Sequence, residues 1–222
     1  MPVDAAPAQA GAIGRMRGLI NALTRRDPHT AGHSRRTAGI AMALGQGAGL
    51  DRAQSYVLGA AALLHDIGKL AVPVRILEYR GRLDGVDWAR MQGHSAMGAR
   101  IVRAAALPLG EEIARAVRHH HENVDGSGYP DGLAGEEIML AARMISLADA
   151  YDAISSARSY HGERTHAQTM DILAGEVGGK CDPALFELFL REVEPRLAGR
   201  KAWPERDVAA RQAIARYCAA AG

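Results

Sequence analysis

Nine histidines occur in this chain of 222 residues, and several of them stand beside acidic residues. His65 and Asp66 end a strongly apolar segment in LLHDIGK, where a charged side chain at the edge of a core is costly without a partner. A metal ion is such a partner, because imidazole nitrogen and carboxylate oxygen both bind transition metals. The dipeptide alone also suits a helix C-terminus, where a histidine interacts favourably with the helix dipole.

Other residues that could bind a metal are scattered along the chain, within or beside segments of helical periodicity. They are His33 in TAGHSRR, His94 in MQGHSAMG, His120 and His121 in RHHHENVDGSGYP, and Asp149 and Asp152 in ISLADAYDA. A helical bundle can project such side chains into a shared centre. Five histidines and two aspartates could ligate two metals and leave positions open for water and substrate. The pattern therefore indicates a metal centre between helices.

Hydrophobic periodicity predicts α-helix almost throughout the chain. In 51–66, apolar residues recur at the i, i+3, i+4 and i+7 spacing of one helical face. Three pairs of residues are typical of helix N-termini: Asp51 with Gln54, Thr165 with Gln168, and Asp182 with Pro183. Further helices are expected near 13–26, 33–47, 85–105, 110–122, 136–157 and 205–220.

Strand signals are weak. The most β-like stretch, LAVPVRIL, is short and is broken by Pro73, so we expect an irregular connection there. The segment NVDGSGYPDGLAGEE is dense in glycine, proline and aspartate and predicts a long loop, and long ordered loops are often functional. Without an internal repeat, a low-complexity linker or a domain boundary, the sequence predicts a single all-α domain, a helical bundle.

The composition argues against several classes of protein. A formal net charge of +2 gives no strong electrostatic case for binding duplex nucleic acid or an anionic membrane. No apolar run approaches the roughly 18 residues of a spanning helix, and the first residues lack the pattern of a secretory signal. Cys181 and Cys218 stand far apart, which implies neither a disulfide framework nor a cysteine zinc site. We therefore expect a cytosolic protein.

Several motifs occur together in an order that is far more specific than a lone His–Asp pair. They are RDPHTAGHS, AALLHDIGK, WARMQGHSAMGARI, HHENVDGSGYPDGLAGEEI, AARMISLADAYDAISSARSY and CDPALFELFL. With these motifs the chain resembles the HD-GYP domains, a branch of the HD metal-dependent phosphohydrolase superfamily. The resemblance runs from about Leu19 to Leu190 in unbroken order.

The resemblance implies an α-helical bundle of the HD phosphohydrolase type around two or three divalent metals. Fe or Mn would be the first candidates, with Zn, Co or Ni as others. It also implies hydrolysis of the bacterial second messenger cyclic di-GMP to linear pGpG and onward to GMP. The catalytic domain would span 13–222, with C-terminal helices over 182–220, after a flexible lead over 1–12.

The resemblance also implies which residues bind the metals. Carried over position by position, the metal ligands are His33, His65, Asp66, His94, His120, His121 and Asp149. Asp66 would bridge two metals. Glu122 and Asp125 place the family pattern HHExxDG on the second and third of the three consecutive histidines, so His119 lies outside it.

Some relatives bind a third metal through an acidic residue four positions before the first ligand histidine. Here that residue is His29, one helical turn before His33 if the helix extends back to Pro28. An imidazole could bind a metal there, although it cannot bridge two metals as a carboxylate does. The alternative is a surface or helix-cap histidine.

The resemblance places four residues around the substrate. Lys69 would face the scissile phosphate, where its ammonium could stabilise developing charge or donate a proton to the leaving oxygen. Arg158 would grip phosphate, and Tyr129 of the GYP sequence could pack on guanine or contact phosphate. His161 stands where relatives usually carry Arg or Lys, and when protonated it could add a phosphate contact. Trp88 and Trp203 are expected to be packing anchors.

Two other functions stay open at this point. An HD hydrolase acting on another cyclic dinucleotide, such as 3′,3′-cyclic GMP-AMP, would share the metal centre. A non-catalytic module could sense nucleotides or dock partners through the GYP loop, although such a module should have lost ligands that are all present here. Regulation would come from a separate partner protein, from a homodimer or from substrate level.

Overall fold

The computed structural model describes residues 5–156, 158–159, 162–197 and 207–220. Its α-helices are α1 (Ala5–Arg26), α2 (Pro28–Gly47), α3 (Arg52–Leu64), α4 (Val74–Leu77), α5 (Gly85–Ala104), α6 (Gly110–His119), α7 (Leu140–Ser156), α8 (His166–Gly175), α9 (Pro183–Glu192), α10 (Glu194–Leu197) and α11 (Val208–Ala220). Two 3₁₀ turns lie at Ile67–Ala71 and Gly135–Glu137. Two-residue antiparallel strands, β1 (Arg158–Ser159) and β2 (Gly162–Glu163), form a small ribbon. The predicted all-α fold is confirmed.

The helix starts that the sequence predicts are formed by the expected capping contacts. The side chains of Asp51 and Thr165 each accept a hydrogen bond from the backbone N–H three residues on, and the side-chain oxygen of the glutamine at that position accepts one from the backbone N–H of the cap residue. The side chain of Asp182, which precedes a first-turn proline, accepts hydrogen bonds from the backbone N–H groups of Ala184 and Leu185. These contacts satisfy amide donors that have no partner inside the helix.

Several boundaries differ from the sequence prediction, among them the start of α2, which lies at Pro28 and not near 33. Helix α1 begins at Ala5, so residues 5–12 are helical and not a flexible lead. Alanine is the strongest helix former, and Pro7 lies in the first turn, where a proline is tolerated. Helix α7 begins at Leu140 because the 3₁₀ turn precedes it, and α6 ends at His119. The LAVPVRIL segment contains the last two residues of the first 3₁₀ turn and all of α4, and no strand.

Helix α3 lies at the centre of the bundle and packs against α2, α6, α7 and α11. Every residue from Tyr56 to Leu64 is buried, and four of these nine residues are Gly or Ala. Small side chains let neighbouring backbones approach closely, so the end of α3 is surrounded on several sides. The last residues of this apolar helix are followed directly by His65 and Asp66. Among the described residues, no helix has the length and apolarity needed to cross a membrane.

A close backbone contact positions α5 against the turn that follows Asp66. A Cβ added at Gly68 would lie 1.8 Å from the carbonyl oxygen of His94 and 2.6 Å from the amide nitrogen of Gly98. A Cβ at Gly98 would in turn lie 2.9 Å from Cγ1 of Val117 on α6. Glycine at these positions therefore brings His94 next to Asp66.

Gly68→Ala should destabilise the protein by about 3 kcal/mol, because backbone atoms of α5 must move to admit the new methyl group. Gly93→Ala is the matched control on α5, since a Cβ there meets nothing within 4 Å. In a helix interior that change should stabilise by about 0.5–1 kcal/mol. Denaturant unfolding followed by circular dichroism measures both. Wild-type stability in Gly68→Ala would contradict the close contact.

Candidate metal centre

Six of the expected ligands form two groups at one end of the bundle. In each group the ligand atoms lie within 4.8 Å of one another: His94, His120 and His121 form the first, and His33, His65 and Asp66 the second. Asp149 joins the second group, because its Oδ1 lies 2.7 Å from Nε2 of His33 and 3.9 Å from Nε2 of His65. The structure thus brings together the seven ligands that the resemblance carries over position by position.

The carboxylate of Asp66 lies between the two groups and is 2% exposed. Its Oδ2 is 3.5 Å from Nε2 of His65, and its Oδ1 is 3.4 Å from Nε2 of His94. Each oxygen therefore faces a different group. This is the arrangement that a bridging carboxylate requires.

Five elements supply these side chains. His65 caps the C-terminus of α3, and His120 caps the C-terminus of α6. His33, His94 and Asp149 project from α2, α5 and α7. The centre therefore depends on tertiary packing between helices that are distant in sequence.

Three histidines share one orientation. The Nδ1 atoms of His65, His94 and His120 lie 2.9, 2.6 and 2.7 Å from the carbonyl oxygens of Ala62, Met91 and Val117, each three residues earlier. A carbonyl can only accept, so Nδ1 carries the proton and donates it. The Nε2 lone pair of each ring is then left for the centre, as in histidines that bind metals.

The donor atoms fit a cation. Nε2 of His65 is buried and has no hydrogen-bond partner among the described residues, and Nε2 of His94 lies 3.4 Å from Nε2 of His120. Two imidazole lone pairs at that distance repel each other unless a positive charge lies near both. Nitrogen and carboxylate oxygen donors suit divalent transition metals.

The histidines of the first group have lowered pKa values, whereas His33 of the second group has a raised one. Burial, together with the neighbouring histidines, lowers the pKa of His121 to about 4 and holds the pKa of His120 well below its usual range. Burial also lowers the pKa of His94. These rings are therefore neutral at pH 7 and able to donate lone pairs to a metal.

His33 behaves in the opposite way. Burial disfavours its charged form, but hydrogen bonds to Asp149 and Asp152 outweigh burial and raise the pKa of His33 to about 10. The same contacts hold the pKa of Asp149 below its usual range although burial opposes this. A metal at Nε2 of His33 would displace a proton, so metal affinity at this group should increase with pH.

Asp152, which the sequence suggested as a residue that could bind a metal, lies behind His33 and is in neither ligand group. Its Oδ2 lies 2.7 Å from Nδ1 of His33, and both its oxygens accept hydrogen bonds from Arg36, at 2.8 and 3.0 Å. The carboxylate is 1% exposed. A carboxylate behind a ligand histidine orients the ring and makes it a stronger ligand. The i, i+3 spacing from Asp149 places both aspartates on one face of α7, which is the only signal the sequence offers.

Asp152→Asn should lower metal affinity by about 10- to 100-fold, because His33 loses the charge that orients it. Asp131→Asn is a matched control. Asp131 also pairs with an arginine and a histidine, Arg118 and His119, but it lies in neither ligand group. Metal titration of both variants gives the comparison. Equal affinities would show that Asp152 does not support His33.

Lys69 lies at the same centre. Its Nζ is 2.7 Å from Oδ2 of Asp66. Burial would lower the pKa of Lys69, but the charge of Asp66 outweighs it and raises that pKa. Lys69 and His65 in turn hold the pKa of Asp66 well below its usual range against the effect of burial. Lys69 is therefore an ammonium directed at the carboxylate of Asp66.

The GYP loop, which covers the segment NVDGSGYPDGLAGEE (123–137), is held in place by Glu122. The carboxylate of Glu122, 2% exposed, accepts hydrogen bonds from the backbone amides of Asp131 and Leu133 at 2.7 and 3.1 Å. A Cβ on Gly128 would lie 2.3 Å from the amide nitrogen of Asn123, so only glycine fits. The ring of Tyr129 lies over His121, with centroids 4.8 Å apart.

The structure describes the other candidate residues to different extents. His29 is exposed on α2 and is in neither ligand group, so its metal role stays a prediction. Arg158 belongs to β1, where only the backbone is described, and His161 lies outside the described residues. His119 contacts Asp131 and not the centre, as its exclusion from the motif requires.

The comparisons with known proteins agree with this geometry. The HD domain family model matches residues 17–185. Among curated proteins, 3′3′-cGAMP-specific phosphodiesterase 2 of Vibrio cholerae is 34% identical over 187 residues, which cover 84% of this chain and 36% of that protein. A cyclic di-GMP phosphodiesterase of Pseudomonas aeruginosa is 37% identical over 171 residues, covering 75% and 40%. The chain thus spans well under half of the length of these two relatives.

Solved structures share the fold. A cyclic GMP-AMP-specific phosphodiesterase of V. cholerae superposes with a TM-score of 0.65 at 20% identity, covering 90% of this chain and 52% of that one. The PgpH HD domain of L. monocytogenes, solved with cyclic-di-AMP, gives a TM-score of 0.61 at 18% identity, covering 82% and 96%. Membership of this family implies divalent metal binding, which the two ligand groups suit. With its His65–Asp66 pair and its GYP loop, the chain belongs to the HD domain family, in the HD-GYP branch.

Proposed function

We propose that this domain is a metal-dependent phosphodiesterase that hydrolyses cyclic di-GMP to linear pGpG and onward to GMP. The observation that carries the proposal is the position of Asp66, whose two oxygens face two separate groups of histidines. A pair of metals so placed is a common device for in-line attack on phosphodiesters. Curated relatives named as cyclic di-GMP phosphodiesterases support the substrate.

Each group would hold one metal. His33, His65, Asp66 and Asp149 would hold the first, and Asp66 would share the second with the remaining ligands, His94, His120 and His121. His29 would be the ligand of a third metal. Fe or Mn are the first candidates, with Zn, Co or Ni as others, since geometry and availability decide among them. Such metals supply Lewis acidity toward phosphoryl oxygens and lower the pKa of water.

The chain's own residues would bind and orient the substrate. Lys69 would place its ammonium beside the scissile phosphate, close to Asp66. The ring of Tyr129 packs beside His121 and would restrict the orientation of a bound nucleotide. Arg158 and His161 would contact phosphate from the segment after α7.

A second substrate has support of its own. Relatives named as 3′3′-cGAMP-specific phosphodiesterases match this chain as well as the cyclic di-GMP enzymes do. The metal centre treats both phosphodiesters alike, so preference would depend on contacts with the bases. A purely non-catalytic module is disfavoured, because every expected ligand is present and oriented toward the centre.

The test uses purified protein loaded with Mn²⁺ or, under anaerobic conditions, Fe²⁺. It is incubated separately with cyclic di-GMP and with 3′,3′-cyclic GMP-AMP, and the products are separated by chromatography. We expect linear pGpG first and GMP later from cyclic di-GMP. Faster hydrolysis of the mixed-base compound would favour the second substrate. Binding of either compound without hydrolysis under both metals would support a non-catalytic module.

A further inference from the structure

Trp88, in the first turn of α5, does not anchor the core. It is 47% exposed, contrary to the expectation of a packing role, whereas Trp203 lies outside the described residues. The Trp88 ring meets the ring of Tyr129 nearly edge-on, with centroids 6.4 Å apart and planes at 76°. On the side of the metal centre, the ring of Tyr129 contacts the ring of His121. A row of three rings therefore leads from the proposed metal site to the surface.

Trp88 also forms one side of a groove of about 800 Å³, a volume within the usual range of small-molecule sites. Met91 of α5 adjoins it, and its carbonyl accepts from the ligand histidine His94. Arg82 and Tyr79, both exposed, line the groove as well. The groove thus combines the aromatic rings of Tyr79 and Trp88 with a hydrogen-bond donor, Arg82, and Met91 connects its lining to a ligand histidine.

The walls of the groove are anchored to each other. Arg75 of α4 donates two hydrogen bonds to Asp87 of α5, at 2.5 and 2.9 Å. Ile76 of α4 is 1% exposed and ties the same helix to the core. Trp88 immediately follows Asp87, so its ring projects from a part of α5 that the hydrogen bonds to Arg75 hold in place.

We propose that Trp88 stacks against a purine base of the dinucleotide while the scissile phosphate lies at the metal centre. The inference rests on the proposed function and adds a base-binding site to it. The flat π-face of a purine can stack on the exposed indole of Trp88. Its polar edge can accept hydrogen bonds from the guanidinium of Arg82, which lines the same groove. A dinucleotide carries a base and a phosphate in one ligand, which suits a surface indole that is linked to the metal centre through the rings of Tyr129 and His121.

The site positions the substrate without selecting between bases. Stacking on an aromatic ring tolerates any base, because guanine and adenine both present a π-face. Loss of Trp88 should therefore weaken cyclic di-GMP and 3′,3′-cyclic GMP-AMP by the same factor. The contact exists before and during the reaction, so it should act on KM and leave kcat nearly unchanged.

Kinetics of the metal-loaded full chain provide the first test. Trp88→Ala should raise KM roughly 5- to 150-fold for both dinucleotides, with kcat and metal content unchanged. Trp88→Phe, which keeps an aromatic face, should recover most of the loss. Val86→Ala is the matched control, since Val86 is 65% exposed on the same helical turn but is not among the residues that line the groove.

Fluorescence provides a signal that a structural role would not produce. The chain has two tryptophans, so Trp203→Phe leaves Trp88 as the only indole. In that background, with Lys69→Ala to slow turnover, cyclic di-GMP should quench the emission as the base stacks. Unchanged emission at saturating ligand, or an unchanged KM in Trp88→Ala, would overturn the inference while wild-type hydrolysis continued. Absence of hydrolysis in wild type would instead overturn the proposed function.

Discussion

Asp66→Asn should abolish hydrolysis and remove most of the bound metal, while the helical content stays that of the wild type. The asparagine keeps the volume of the side chain but loses the negative charge shared by two groups of histidines. Its single carbonyl oxygen is a poor bridge. The helices depend on apolar packing of α3 and its neighbours and not on this carboxylate.

Metal content by elemental analysis, turnover by chromatography and circular dichroism together test this prediction. Asp182→Asn is the control, because Asp182 also forms an ion pair, with Arg143, in a mostly buried position and is in neither ligand group. That variant should retain metal and activity. Turnover by Asp66→Asn would contradict a bridging role. Unfolding of Asp66→Asn, with a folded control, would mean that the site is structural, as in zinc fingers.

Local signals in the sequence were sufficient for most helices. Asp51, Thr165 and Asp182 are N-caps whose partners lie within three residues, so the contacts that start these helices are visible in the sequence. The start of α1 could not be predicted in this way. The alanines and Pro7 near the N-terminus form an ambiguous pattern that is also typical of a flexible lead. The 3₁₀ turn before α7 could not be predicted from local signals either.

The ligand set could be nominated from motifs, but its geometry could not. His65 and Asp66 are adjacent in the chain, yet the position of Asp66 between two histidine groups depends on the contact of Gly68 with α5. The role of Asp152 depends on α2 lying against α7, since only that packing places His33 and Arg36 at its carboxylate. Contacts between helices that are far apart in sequence leave no local pattern.

Trp88 shows why a residue type alone misleads. Tryptophan is usually well buried, so a packing role was the reasonable expectation. Its exposure follows from its place in the first turn of α5, on the side that faces the groove and the GYP loop. The pattern of apolar residues in α5 does not show which face that groove occupies.

Lys69→Ala should lower kcat by about 10²- to 10³-fold, the range observed when one group that stabilises transition-state charge is removed, and should leave the metal content unchanged. The structure holds Lys69 as a cation, since Asp66 lies 2.7 Å from Nζ and raises the pKa of the ammonium against the effect of burial. A group held in its charged form is suited to stabilise the negative charge that grows on the phosphate. The seven ligands remain in place, so metal content should not change.

Lys69→Arg separates this role from proton donation. A guanidinium keeps the positive charge but does not release a proton in proteins. If Lys69 stabilises charge, the arginine variant should recover part of the activity that the alanine variant loses. If Lys69 donates the proton to the leaving oxygen, both variants should be equally slow. Lys180→Ala is the control, because Lys180 pairs with Glu176 on the surface and should not affect kcat. Loss of metal from Lys69→Ala would contradict both roles, since the lysine would then be needed to hold Asp66 in place.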